Sequence, residues 1–527
     1  MGGKLPIGIQ SFESIRRDGY LYVDKTDYVY KLVHEGKPYF LSRPRRFGKS
    51  LLISTLRAYW EGRRELFAGL AVERLEKGNP DAWVPHVVFH FDFNGSDYSS
   101  KGALEAALDS RLHPWEVQHG TADSGIPLGD RFAALLEAAH EGTGHRCVVL
   151  VDEYDKPMLE TMGDPALQGH NRNVFKSFFS VLKRSDDHLR FAFFTGVTKF
   201  SKISIFSDLN QLRDISMSGE YASICGITER ELVEYFDNEV ALLADARGLT
   251  REKCLDRLAN MYDGYRFYPA GPNVYNPFSL LNAFADRDFG AYWFGSGTPS
   301  FLVHRMREAS FDARMLGDGS LWASEARIMD YRAEDPDPVP LMYQAGYLTI
   351  KDHDSAARMY ELGVPNGEVR YGLSESLLAE YAPGSGAGVG TDVYMLKLHA
   401  DEGDVDGIRN VLTALFASIP YTRADDPFEN YFQAVVYLVF TLLGRFARCE
   451  MHSAAGRVDV VVETARFIYL MELKRDGTAE EALTQMDERG YAAPYTADSR
   501  TIFRIGAAFD SSTRRLSDWK VRCGLAS

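Results

Sequence analysis

Arg457-Val-Asp-Val-Val-Val-Glu463 followed by Phe467-Ile-Tyr-Leu-Met-Glu-Leu-Lys474 decides the C-terminal part of the fold. Both runs are apolar and rich in β-branched or aromatic residues, so both read as strands, with Glu463-Thr-Ala-Arg466 turning between them. Side chains alternate across a strand. Ile468, Leu470, Glu472 and Lys474 therefore share one face, and Leu473 points to the other. A carboxylate and an ammonium on an otherwise apolar face need partners that offset their desolvation. A divalent cation held by Asp459 and Glu472, with Lys474 beside it, meets that need. The structural alternative is a salt-bridged edge on an exposed hairpin.

The flanks carry related signals. Asp425-Asp-Pro427 reads as a helix cap with Pro in the first turn. The helix runs from Phe428 to Leu443, with Glu429 on the same stripe as Phe432, Val436 and Val439. After the strand pair, Ala479-Glu-Glu-Ala-Leu-Thr-Gln-Met-Asp-Glu488 reads as an amphipathic helix carrying Gln485.

The other end of the chain reads as a nucleotide site. Tyr39-Phe-Leu-Ser42 is a short buried strand running into Arg43-Pro-Arg-Arg-Phe-Gly-Lys-Ser50 and then a helix. Gly48-Lys49-Ser50 fits the end of a Walker A loop, with Arg43 standing where that pattern has its first glycine. Loop N–H groups and the helix N-terminus would cradle phosphates, with Lys49 on the β/γ-phosphates and Ser50 on Mg²⁺. Arg45, Arg46 and Phe47 complete the loop, and its three arginines are expected to face nucleotide. Cys147-Val-Val-Leu-Val-Asp-Glu153 has the Walker B pattern: Asp152 would hold Mg²⁺ through water, and Glu153 would polarise the attacking water. Arg190-Phe-Ala-Phe-Phe-Thr195 is a third buried strand, ending where a sensing polar residue, Thr195, would sit. Val87-Val-Phe-His-Phe-Asp92 is a further core strand. Strands of this kind in this order predict a parallel, doubly wound sheet.

Asp459 with Glu472-Leu473-Lys474 resembles the PD-(D/E)XK nuclease superfamily. The resemblance implies that the two carboxylates hold Mg²⁺ (or Mn²⁺), that Lys474 orients or activates water, and that Glu429 and Gln485 are the accessory acid and glutamine. The whole chain is similar to bacterial AAA-ATPase-like proteins that carry such a nuclease domain at the C-terminus. That similarity rests on Leu5-Pro-Ile-Gly-Ile-Gln-Ser-Phe12, Tyr22-Val-Asp-Lys-Thr26, Arg43 to Ser50, Val151-Asp-Glu-Tyr-Asp-Lys-Pro157 and Thr195-Gly-Val-Thr-Lys-Phe-Ser201. It also rests on Tyr262-Asp-Gly-Tyr265, Tyr275-Asn-Pro-Phe-Ser279 and Gln344-Ala-Gly-Tyr-Leu-Thr349. An arginine-bearing phosphate loop is usual in that family. Tyr22 to Thr26 either contacts the adenine or closes the site, with a helix cap by Asp24 or Thr26 as the structural alternative.

At 527 residues the chain implies about three or four modules. Its 45% hydrophobic and 25% charged residues are globular values. Cys147, Cys225, Cys254, Cys449 and Cys523 form no C-x-x-C and suggest neither a disulfide framework nor zinc. The N-terminus lacks a signal-peptide pattern, and the apolar run from Ala434 to Leu443 is too short to span a bilayer, so a cytoplasmic protein without a membrane partner is expected. A net charge of −15 argues against a protein that coats nucleic acid. An acidic nuclease remains compatible with it, because the metal and a local basic rim (candidates Lys183, Arg184, Lys199 and Lys202) carry the phosphate contacts.

The expected architecture is α/β and multidomain: a P-loop AAA-like parallel sheet over 1–220, a helical lid over 221–300, a mixed connector over 301–400, and a PD-(D/E)XK nuclease fold over 401–527. Ile227-Thr-Glu-Arg-Glu231 opens the lid with a capping-box pattern. In the connector, Leu341 to Thr349 with Met359 to Val364 reads as the helix and wing of a winged-helix module or as a structural hairpin on the lid. Pro383 to Gly390 reads as a flexible linker. The functional expectation is an ATPase coupled to a Mg²⁺-dependent nuclease. Its partners would be ATP and DNA, with RNA open and a homo-oligomer compatible, in defence or mobile-element processing. The competing reading is a nucleotide-switched scaffold that binds nucleic acid without cutting it.

Overall fold

In the computed structural model of the chain, the apolar runs of the N-terminal half become parallel strands. They are β1 (Pro38–Ser42), β2 (Val88–Asp92), β3 (Cys147–Asp152), β4 (Leu189–Gly196) and the two-residue β5 (Arg213–Asp214). The order is β2-β3-β4-β1-β5, and every pairing is parallel. Every residue of β3 is buried, as a strand covered on both faces requires. Because β4 lies between β1 and β3, the loops leaving these three strands emerge side by side at one edge of the sheet. The structure describes residues 4–36, 38–121, 125–199, 212–296, 300–309, 311–317, 321–329, 335–381, 388–417, 428–444, 448–451, 459–510, 512–513 and 515–524.

The chain divides into two compact units, Met1–Ser296 with Leu321–Gly367, and Gly297–Ser320 with Glu368–Ser527. In the first unit the helices Glu229–Arg247, Arg251–Tyr262 and Pro277–Asp286 bury Leu232, Phe236, Val240, Leu258, Tyr262 and Leu280 in a common core. The Thr228 side chain accepts from the Glu231 N–H, and Glu231 answers to the Thr228 N–H, closing the capping box. The same unit holds a three-stranded antiparallel sheet, β6 (Leu321–Ser324), β7 (Thr349–Asp354) and β8 (Met359–Gly363), in the order β6-β8-β7. The Arg266 N–H donates to Thr349 Oγ1 at 2.7 Å, and the Arg266 side chain donates to the Lys351 carbonyl at 3.1 Å. The β7–β8 hairpin is thereby stitched to the chain that leaves the helix ending at Tyr262.

The second unit is built on β9 (Arg448–Met451), β10 (Val460–Glu463), β11 (Phe467–Arg475), β12 (Thr501–Asp510) and β13 (Arg515–Cys523), in the order β13-β12-β11-β10-β9. Only β11 and β12 run parallel, and the helix Ala479–Arg489 makes their crossover. Ile468 and Leu470 of β11 bury against Leu483 and Met486 of that helix. The approach at the helix start is so close that a Cβ at Gly506 would lie 2.1 Å from the Ala479 carbonyl oxygen. On the opposite face Tyr469 stacks on Phe503 with ring centroids 5.3 Å apart, and its hydroxyl donates to the Ala400 carbonyl at 2.6 Å. The helix Phe428–Leu443 forms, while the side chain of Glu429 lies outside the described residues. So do Asp425-Asp-Pro427, Gly456 to Val458, Lys202 and residues 383–387 of the linker. Among the described residues no helix is long and apolar enough to cross a membrane.

Candidate functional site

β1 ends at Ser42 and the next helix begins at Lys49, so residues 43–48 form a tight loop over a helix N-terminus. Gly48 takes φ 95° and Arg46 φ 67°. The left-handed region is open to glycine, but costs an arginine about 1 kcal/mol. Lys49 is buried, and its Nζ donates to the carbonyls of Arg43 and Pro44 at 2.9 and 3.0 Å, inside the curl of the loop. Ser50 follows in the first helical turn. Arg45 and Arg46 are exposed.

Arg43 departs from the expectation that it faces nucleotide. It is 1% exposed, and its guanidinium donates to the carbonyls of Ser42, Ser216 and Tyr221 while lying 4.0 Å over the Phe267 ring. With both terminal nitrogens turned to main chain and its Nε buried without a partner, it anchors the loop. Burial also holds its pKa below the usual arginine value.

Asp152 is buried at the end of β3. Its Oδ1 accepts from the Thr195 hydroxyl at 2.6 Å and from the Glu153 N–H at 3.0 Å. Adjacent β3 and β4 therefore bring Asp152 and Thr195 together. Glu153 takes φ 49°, which carries its side chain off the strand line. Burial raises its pKa, and the nearby Lys49 ammonium opposes that shift. Asn94, two residues beyond β2, lies in hydrogen-bonding range of Glu153 and is a neighbour that sequence reasoning misses. A polar residue just past a core strand is the only signal for it.

Asp155 does different work. It is 1% exposed, and its Oδ2 accepts from the N–H groups of Val197 and Thr198 at 2.9 and 2.6 Å and from the Thr198 hydroxyl at 2.8 Å. Burial raises its pKa, and the bond from the Thr198 N–H opposes the rise. It ties the segment after β4 to the segment after β3. Asp155→Ala leaves those buried donors without an acceptor and is expected to destabilise the first unit by about 2 kcal/mol or more. The first transition in urea unfolding measures this, and an unchanged midpoint would refute it.

Beside Gly48 lies a cavity of about 110 Å³, lined by Tyr22, Val23, Lys25, Phe47, Leu51 and Ile227 among others. Its wall is mainly apolar. Lys25 is turned to the Ser223 carbonyl at 2.8 Å and to Glu231. Asp24 and Thr26 face elsewhere: Asp24 accepts from the Thr26 and Ala71 N–H groups, and Thr26 Oγ1 accepts from the Val72 N–H. Tyr22 to Thr26 thus lines a cavity with some of its residues and caps helices with others.

In the second unit the β10–β11 hairpin and the crossover helix bring Asp459, Glu472, Lys474 and Gln485 together. Asp459 stands immediately before β10, and its Oδ2 accepts from the Leu473 N–H at 2.8 Å. Glu472 is 2% exposed. Its Oε1 accepts from Gln485 Nε2 at 2.5 Å and from Lys474 Nζ at 3.4 Å, while Gln485 Oε1 accepts from Lys474 at 2.5 Å. Its Oε2 is buried and has no hydrogen-bond partner. Burial and then the Asp459 charge push the Glu472 carboxyl up to about 7, and burial raises Asp459 as well. A buried carboxylate with an orphaned oxygen, its proton affinity raised by a second, half-buried carboxylate, makes a donor set that fits a divalent cation. Among the described residues no three His, Cys, Asp or Glu converge, so the protein ligands on view are these two carboxylates. A shallow groove lined by Lys474, Gln485, Thr484, Glu488 and Arg489 opens beside them. Of the candidate rim, Arg184 pairs with Asp130, and Lys199 pairs with Asp214 at 2.6 Å.

Comparison with known proteins agrees with this division. Residues 6–206 match the family model described as predicted AAA-ATPase, and residues 427–519 match that of the PD-(D/E)XK nuclease superfamily. An uncharacterized protein in the vnfD 5′ region of Azotobacter chroococcum mcd 1 is 38% identical over 523 residues, which cover 97% of each chain.

Proposed function

The chain belongs to the family that joins a predicted AAA-ATPase to a PD-(D/E)XK nuclease domain, and from that premise we propose that it hydrolyses ATP and cuts nucleic acid in a metal-dependent reaction. The substrate in this reading is DNA, in defence against or processing of mobile elements. The observation that carries the cleavage half is the orphaned Oε2 of Glu472, with Oε1 of the same carboxylate held by Lys474 and Gln485. That division of labour leaves one oxygen for a cation and fixes the other. The orphaned oxygen belongs to a carboxylate that also feels the charge of a second one, Asp459, and that combination supports a cation site.

Mg²⁺, or Mn²⁺ in its place, would be held by Asp459 and Glu472, and would supply charge stabilisation at the scissile phosphate and a more acidic water. Lys474 orients that water, and Gln485 holds the Lys474 ammonium in place. Burial of Glu472 limits the access of bulk water to its carboxylate.

In the first unit the loop N–H groups and Lys49 receive the phosphates, and Ser50 and Asp152 face the Mg²⁺ that accompanies ATP. The apolar cavity beside Gly48 takes the base. Glu153 accepts a proton from the attacking water, and Thr195 fixes the orientation of Asp152. Arg45 and Arg46 supply exposed positive charge for the phosphates. Lys49→Ala removes the buried ammonium, and nucleotide affinity is expected to fall at least tenfold, about 1.4 kcal/mol. Titration calorimetry with ATP reads this directly, and equal affinities would remove the phosphate-loop assignment.

A further inference from the structure

Each residue of the loop 43–47 is gripped by a group from residues 216–347 of the same unit. Arg43 lies over Phe267 and donates to the Ser216 and Tyr221 carbonyls. Pro44 sits where a Cβ on Gly346 would come within 2.6 Å of it. The Arg45 carbonyl accepts from the Trp293 indole N–H at 2.9 Å. The Arg46 guanidinium lies 4.9 Å over the Phe278 ring. Phe47 meets Tyr265 edge-on at 4.8 Å and Phe267 at 5.7 Å, and its carbonyl accepts from the Gly226 N–H at 3.3 Å.

A phosphate-cradling loop must turn successive N–H groups inward, and glycine makes that turn easy. Here bulky residues occupy positions 43–47, and Arg46 holds a left-handed φ. Such a conformation persists only where the surroundings over-determine it. The surroundings are a sleeve of aromatic rings drawn from Tyr262-Asp-Gly-Tyr-Arg-Phe267, Tyr275-Asn-Pro-Phe278 and Trp293. None of Tyr265, Phe267, Phe278 and Trp293 lines the cavity beside Gly48. Their reach to a ligand is through the loop.

We propose that Tyr265, Phe267, Phe278 and Trp293 are positioning residues for nucleotide, holding loop 43–47 in its phosphate-binding shape without touching the ligand. The proposal rests on the nucleotide reading of that loop. Two aromatic motifs that the chemistry leaves unused thereby acquire a role. They supply, from outside, conformational order that glycines supply elsewhere. ATP affinity then depends on the segment 262–293.

The test uses the full chain and ATP titrated by calorimetry, with hydrolysis measured in parallel. Trp293→Phe keeps an aromatic ring and removes the indole N–H that donates to the Arg45 carbonyl. It is expected to raise the ATP Kd about tenfold while changing kcat far less, because no group at the reacting atoms is lost. Phe267→Ala is expected to weaken ATP at least as much, and Phe267→Tyr, which keeps the ring, to restore the lost affinity. ATP should also shift tryptophan emission in the wild type, and that shift should be lost in Trp293→Phe at saturating ATP. A merely structural role predicts lower melting temperatures with unchanged Kd. Wild-type Kd in both Trp293→Phe and Phe267→Ala overturns the proposal. If Phe267→Ala does not fold, Trp293→Phe decides alone. If Lys49→Ala also binds ATP normally, the nucleotide reading itself falls; if only Lys49→Ala loses binding, the sleeve alone is rejected.

Discussion

Asp459→Ala is expected to abolish both divalent-cation binding and cleavage, whereas Lys474→Ala is expected to spare the cation and still lose cleavage by on the order of a hundredfold or more. Asp459 is a half-buried carboxylate whose charge reaches Glu472, the residue with the orphaned oxygen. Removing it halves the protein ligands and leaves too little charge to hold a cation. Lys474 is a cation 3.4 Å from Glu472 Oε1, so its removal takes away a competing positive charge. Cation affinity in Lys474→Ala is therefore expected to hold or rise, while water loses its orienting group. A structural salt bridge gives a different pattern: Lys474→Ala would melt earlier, and no activity would change. Mn²⁺ titration calorimetry, plasmid nicking and thermal melts of the three proteins separate the two patterns. Cleavage by Asp459→Ala at the wild-type rate would remove the site assignment.

Glu153→Gln is expected to keep ATP affinity within a few-fold and to cut hydrolysis by on the order of a hundredfold or more, the scale of general-base assistance. Glu153 is partly exposed, lies close enough to Lys49 to feel its charge, and has its pKa raised by burial. The amide keeps its shape and can still hydrogen-bond, but it cannot take a proton. Asp155 is no substitute, because its Oδ2 is taken up by Val197 and Thr198. Steady-state turnover with calorimetric Kd values gives the comparison. Unchanged turnover in Glu153→Gln would show that another group polarises the water.

The parts of the fold legible in the sequence are those where burial leaves a period. β1, β3 and β4 are apolar runs because parallel strands are covered on both faces. The alternation in β11 places Glu472 and Lys474 on one face, and the crossover helix then brings Gln485 to that face. β12 is hidden because Arg504 and Gly506 interrupt its apolar run, and glycine weakens the strand signal. β5 is two residues long and has no pattern to find. The strand order, with β4 between β1 and β3, depends on pairings that no local signal encodes. Arg43 misleads for the same reason. A cation in a phosphate loop looks like a ligand, and only the fold shows that the carbonyls of Ser216 and Tyr221 claim it. Asn94 and Trp293 likewise reach their partners across long stretches of chain.

The most direct test of the central claim is incubation of the wild-type protein with plasmid, linear DNA and RNA in Mg²⁺, with and without ATP, beside Asp459→Ala and Lys49→Ala. The prediction is Mg²⁺-dependent cleavage of DNA by the wild type, none by Asp459→Ala, and a change in rate with ATP that disappears in Lys49→Ala. Absence of cleavage of every substrate under every nucleotide condition, with Asp459→Ala indistinguishable from wild type, would contradict the account and leave a nucleotide-switched scaffold in its place.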